Sequence, residues 1–119
     1  MESIENRLQD FSFIRNSIKE ENRNSPFYLF GVACGEGWHN LIYDLCEEIE
    51  SKAPDTIVMQ IKEKFGGLRF YTSAHTDEVE KIIEKYEEKA LTTCEVCGKD
   101  GKVRTGGWIQ VLCDEHYKK

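Results

Sequence analysis

The chain has 119 residues, 39% hydrophobic and 32% charged, with a formal net charge of -6 at pH 7; that length supports one domain with a modest core and a small appendage. The acidity, with a pI near 5.1, opposes non-specific binding along a phosphate backbone, and no run of residues approaches the length of a membrane span. The N-terminal MESIENRLQDF lacks the basic start and long apolar stretch of a secretory signal, so a cytoplasmic protein is expected.

Ile4, Leu8, Phe11, Ile14 and Ile18 recur at three- and four-residue steps, which predicts one amphipathic helix over residues 2–20. The polar cluster KEENRNSP ends it, with Pro26 as the stop signal. FYLFGVA, residues 27–33, reads as a short buried strand, and CGEG, residues 34–37, as a turn. A second helix over 38–51 presents Trp38, Leu41, Ile42, Leu45, Cys46 and Ile49 on one face, and APD at 53–55 breaks it. TIVMQIKEKF and LRFYTS read as two strands joined by Gly66 and Gly67, residues that accept positive φ without steric cost. A third helix over 77–91, capped by Thr76 or Asp77, buries Val79, Ile82, Ile83, Tyr86 and Ala90. Its outer face of alternating Lys and Glu reads as solvated and salt-bridged. The order predicts an α+β fold: a small antiparallel sheet with helices on one face. Residues 1–91 form the α+β domain, with a βαββα core over 27–91, and residues 92–119 form a separate zinc-binding module.

That module carries the most specific signal. Cys94, Cys97, Cys113 and His116 follow the pattern C-x2-C, fifteen residues, C-x2-H. Each close pair can set two ligands on one ion from a single turn, and the segment between has its own hairpin signal at Gly106 and Gly107. A knuckle, a hairpin and a ligand pair at a helix start give the outline of a treble-clef zinc finger. Three thiolates and one imidazole suit tetrahedral Zn²⁺ and leave no position for a reacting water. The ion is therefore expected to be structural, supplying roughly 10–16 kcal/mol of apparent binding free energy to a segment too short to bury its own core. Lys99, Lys102, Arg104, Lys118 and Lys119 are nearly balanced by Glu95, Asp100, Asp114 and Glu115. Nucleic-acid binding through Arg104 and Trp108 is thus an alternative, but a disfavoured one.

Within KEKFGGLRFY, alternation sorts the hairpin into two faces. With Gly66 and Gly67 as the turn, Ile57, Met59, Ile61, Phe65, Leu68 and Phe70 point to the core, with Glu63 the exception. Val58, Gln60, Lys62, Lys64, Arg69 and Tyr71 point away, and Lys64 stands opposite Arg69. Like charges directly opposite each other are destabilising, so something should offset them. An internal carboxylate is one candidate. An anionic ligand or partner is the other, with a phosphate on Lys62, Lys64 and Arg69 and a flat ring on Tyr71.

The five cysteines do not suggest disulfides in a cytoplasmic protein. Cys46 falls on an apolar helix face and reads as a core residue. Cys34 lies near His39 in sequence. A Cys-His nucleophile is conceivable there, and a half-buried thiol beside a surface histidine is the simpler reading. No phosphate loop, open metal position or convincing catalytic set supports an enzyme.

The blocks CGEGWHNLIYDLCEEIE, VMQIKEKFGGLRFYT, CEVCG and RTGGWIQVLCDEH together resemble a family of small proteins encoded mainly by bacteriophages and prophages. The resemblance covers residues 32–116 and leaves out the N-terminal helix. It implies an accessory protein with a zinc-binding end and carries no established activity. By analogy alone, it raises counter-defence, through binding a host immune protein or sequestering a host nucleotide signal. The expected partner is accordingly a host protein or a phosphorylated small molecule.

Overall fold

The computed structural model describes residues 3–73 and 76–117. His75 and the C-terminal Lys118 and Lys119 therefore lie outside the described residues. The helices are α1 (Ile4–Leu8), α2 (Ser12–Ser17), α3 (Pro26–Phe30), α4 (His39–Lys52), α5 (Asp77–Ala90) and α6 (Asp114–Tyr117). The strands are β1 (Val32–Ala33), β2 (Val58–Lys64), β3 (Gly67–Thr72), β4 (Lys102–Arg104) and β5 (Gln110–Leu112). The fold is α+β, and no helix among the described residues is long and apolar enough to cross a membrane.

The N-terminal segment is two short helices instead of one. Phe11 takes extended angles (φ -103°, ψ 132°) and interrupts the stripe. The cause lies far along the chain. The Glu50 carboxylate of α4 accepts the Ser12 hydroxyl (2.6 Å) and the Phe13 N–H (3.1 Å), capping α2 from outside. The break also lets Phe13, off the predicted stripe, join Ile14 and Leu8 in the core.

The expected strand at 27–33 is mostly helix. Ser25 accepts the Tyr28 N–H (3.0 Å) and Pro26 takes the first helical position, so this proline starts a helix and does not serve as the expected stop. Gly31, at φ +66°, ends α3 and releases the two residues of β1. The α4 and α5 helices lie where the periodicity puts them, and Thr76 caps α5 by accepting the Val79 N–H (3.2 Å).

The main sheet has the order β1-β2-β3. The β2–β3 pair is antiparallel, and β1 adds a short parallel edge, Val32 beside Ile61 and Ala33 beside Lys62. Ile61, Leu68 and Phe70 face the core, where they join Ile42, Leu45 and Ile49 of α4 and Val79, Ile82 and Tyr86 of α5.

The β2–β3 turn sits one residue earlier than expected. Lys64 pairs with Gly67, so Phe65 and Gly66 are the turn residues, both at positive φ (53° and 83°). That is the handedness two-residue hairpins favour, although a left-handed Phe costs about 1–2 kcal/mol. Moving the turn by one residue shifts every pair by two, so the faces survive and the partners change. Lys62, not Lys64, stands opposite Arg69. Two other placements are corrected. An irregularity between Val58 and Gln60 turns Val58 into the core, and Phe65, expected inward, is 74% exposed.

Candidate metal centre and the surfaces around it

The metal module is built from short pieces that cannot stand alone. The Cys94 N–H donates to the Lys99 carbonyl (2.7 Å), and the Gly98 N–H donates back to the Cys94 carbonyl (2.9 Å). Gly98 takes φ +84° to close this knuckle. The β4–β5 hairpin pairs Lys102 with Leu112 and Arg104 with Gln110, leaving Thr105 to Ile109 as its loop. Cys113 follows β5 directly, and His116 lies on α6.

This brings all four predicted ligands together, their ligand atoms within 4.8 Å of one another. Cys97 Sγ lies 3.8 Å from Cys113 Sγ, and His116 Nδ1 lies 3.7 Å from Cys94 Sγ and 3.3 Å from Cys113 Sγ. A tetrahedral three-sulfur, one-nitrogen shell with bonds of about 2.3 and 2.1 Å has edges of roughly 3.8 and 3.6 Å. The three short distances lie near those edges, and the whole set, within 4.8 Å, is close enough to converge on one ion.

The surroundings favour the thiolate at Cys94 and Cys113 but not at Cys97. Burial opposes charge on Cys94, but the N–H groups of Cys113, Cys97 and Val96 outweigh it and bring the pKa down to about 6. The His116 N–H, against burial, lowers the Cys113 pKa. The Lys99 N–H favours the Cys97 thiolate, yet burial and the neighbouring sulfurs hold its pKa up. Cys113 and then Cys94 raise the pKa of His116. Four such groups compete for protons, and a cation at their centre relieves the competition.

The knuckle docks on the GEGW segment. The Gly35 N–H donates to Glu95 Oε2 (2.8 Å), the Gly37 N–H to the Glu95 carbonyl (2.7 Å), and the Trp38 indole N–H to the Thr93 carbonyl (2.8 Å). A Cβ on Gly37 would collide with the Cys94 carbonyl. Those glycines, read as a turn, are where two backbones touch. Val111 of β5 is buried in the main core cluster, so module and sheet share packing.

On the face of the sheet away from the core, Lys62 and Arg69, both half-buried, are opposite each other, the exposed Lys64 is two residues along β2, and Tyr71, 39% exposed, faces Gln60. Among the described residues none of the three cations makes an ion pair with a carboxylate. Arg69 has a longer-range neighbour in Glu87. Burial raises the Glu87 pKa, while the Phe70 N–H and then Arg69 oppose the rise. The expected salt bridging along the outer face of α5 is replaced at Lys85 by a pair with Glu48 of α4 (2.7 Å).

Two other readings gain no support. Cys34 makes no hydrogen bond to His39, and burial, followed by Glu95, Glu5 and Glu63, pushes its thiol up to about 12. A thiol in that state is protonated at neutral pH and is a poor nucleophile. Arg104 bonds Asp114 (2.9 Å) and the Leu112 carbonyl (3.1 Å) and stacks on Tyr117, so its charge is already engaged. The sequence did not signal that Phe65, Trp108 and Ile109 line one cleft beside the hairpin turn; Ile109 lies so close over Gly66 that a Cβ there would come within 2.7 Å of its Cγ2.

Comparisons with protein-family models, curated proteins and solved structures find no match to this chain.

Proposed function

We propose that this protein is a non-enzymatic binding protein with a structural zinc ion at Cys94, Cys97, Cys113 and His116. It meets an anionic guest, an acidic protein partner or a phosphorylated small molecule, through Lys62, Lys64, Arg69 and Tyr71. Three thiolates and one imidazole in a tetrahedron suit zinc, and a shell closed by four protein ligands supports a structural role. The ion would tie the knuckle of Cys94 and Cys97 to Cys113 and His116 after β5, and the knuckle's hydrogen bonds to the GEGW segment carry that bracing to the sheet.

The observation that carries the binding reading is Lys62 opposite Arg69, both half-buried, with no ion-paired carboxylate among the described residues. Like charges placed opposite each other cost stability, and a bound anion would offset that cost. The net charge of -6 sets this patch apart from its surroundings and disfavours long nucleic acid. The resemblance to phage-encoded proteins places counter-defence among the roles such a protein could serve.

The test is co-purification of the wild type beside K62E/R69E. The reading expects an acidic protein or anionic small molecule with the wild type, lost in the variant while zinc and fold are kept. A guest retained equally by both would overturn it.

A further inference from the structure

The β2–β3 turn and the metal-module loop meet in a cleft of about 360 Å³ lined by Glu63, Phe65, Gly107, Trp108 and Ile109. That is the small end of the range for ligand sites, roughly 300–1,000 Å³. Phe65 and Trp108 are 74% and 79% exposed. Two large rings kept in water beside one opening are costly unless something covers them. The Phe65 ring is turned outward by its left-handed backbone (φ 53°), a conformation that structures keep mainly where it has a use.

Among the described residues Glu63 is the only charged one lining the cleft. Its Oε2 accepts the Gly66 N–H (2.8 Å), which leaves most of the carboxylate's acceptor capacity free. At the rim, Lys64 Nζ lies 5.7 Å from the Phe65 ring centre. A guest that answers every group must carry a flat aromatic face, two adjacent N–H donors and an anionic end.

We infer that this cleft binds the guanine base of a nucleotide, with N1–H and N2–H on Glu63, the ring against Trp108 and Phe65, and phosphate toward Lys64. Guanine is the base that presents two neighbouring donors on its pairing edge. Adenine and cytosine set a lone pair beside their donor, and uracil flanks one donor with two carbonyls, so each would place an acceptor against the carboxylate. An arginine side chain could stack and bridge to Glu63, but it would bring a second cation next to Lys64. The inference rests on the phosphorylated-small-molecule form of the proposed function and adds a base-reading site at the tip of the same hairpin.

Trp38 is completely buried, so Trp108 reports ligand contact by fluorescence. The experiment titrates GMP, guanosine and AMP into the zinc-loaded full chain. GMP is expected to quench emission and bind about tenfold or more tightly than AMP, with guanosine weaker than GMP. E63Q, which keeps an acceptor for the Gly66 N–H, is expected to lose about tenfold for GMP with an unchanged melting temperature. Equal affinity for AMP, no loss in E63Q, or quenching by N-acetyl-arginine amide with none by GMP each overturns the inference. R69E separates the two claims. GMP binding kept in R69E and lost in E63Q supports the cleft whatever the fate of the basic face. The reverse pattern removes the cleft and leaves the basic face standing.

Discussion

Replacing Gly37 by Ala tests whether the GEGW segment is the seat of the metal knuckle. The backbone angles at Gly37 suit any residue, so the effect is purely one of space. The new Cβ would meet the Cys94 carbonyl and the Glu95 backbone, neither of which can rotate aside as a side chain could. Separating the two segments strains or breaks the Gly37 N–H bond to the Glu95 carbonyl (2.7 Å) and the Trp38 indole bond to the Thr93 carbonyl (2.8 Å). At about 1 kcal/mol each, with some loss of packing around the buried Trp38, the cost is about 2–4 kcal/mol. For a domain of this size that lowers the melting temperature by roughly 8–16 °C. The assay is thermal unfolding followed by circular dichroism, with Gly106→Ala as control. A Cβ on Gly106 meets nothing within 4 Å, so the control should stay near wild type. A G37A protein melting within a degree of wild type would refute the docking argument.

Other consequences follow from the same structure. K62E should stabilise the hairpin by roughly 0.2–1 kcal/mol by placing opposite charges across from Arg69, and denaturant midpoints will show it; a destabilised variant would mean that Lys62 already has a partner. A strong chelator should lower the melting temperature by roughly 10 °C or more and shift Trp38 emission to the red as its bond to the module loosens. Unchanged melting would deny the ion any structural role. Lys85, then the Tyr86 hydroxyl, hold the Glu48 carboxyl below its usual pKa. Its stabilising contribution is therefore present above the unfolded carboxyl value and lost as pH falls through the lower folded one. E48Q should cost roughly 1 kcal/mol at neutral pH and nothing in acid, which urea titrations at both pH values can check.

What the sequence shows and what it hides divide along the range of the forces involved. The α4 and α5 helices were legible because their apolar stripes and the Thr76 cap are local. The four ligands were legible because close pairs of ligand types need little context. The break at Phe11 was hidden because the cap that permits it, Glu50, lies on another helix. Ser25 and Pro26 mark a helix start as readily as a stop, and only the pairing of Val32 with Ile61 shows where the strand begins. The hairpin turn moved because two glycines in a row allow two registers. Ile109, packed over Gly66, fixes one of them. The faces of Lys62, Lys64, Arg69 and Tyr71 survived because a two-residue shift preserves alternation.

The most direct measurement is native mass spectrometry of the wild-type protein purified from cells without chelator, beside C113S. The account predicts one zinc per chain and a retained anionic guest in the wild type, and loss of the zinc in C113S. A wild-type chain that carries no metal and no guest would contradict it.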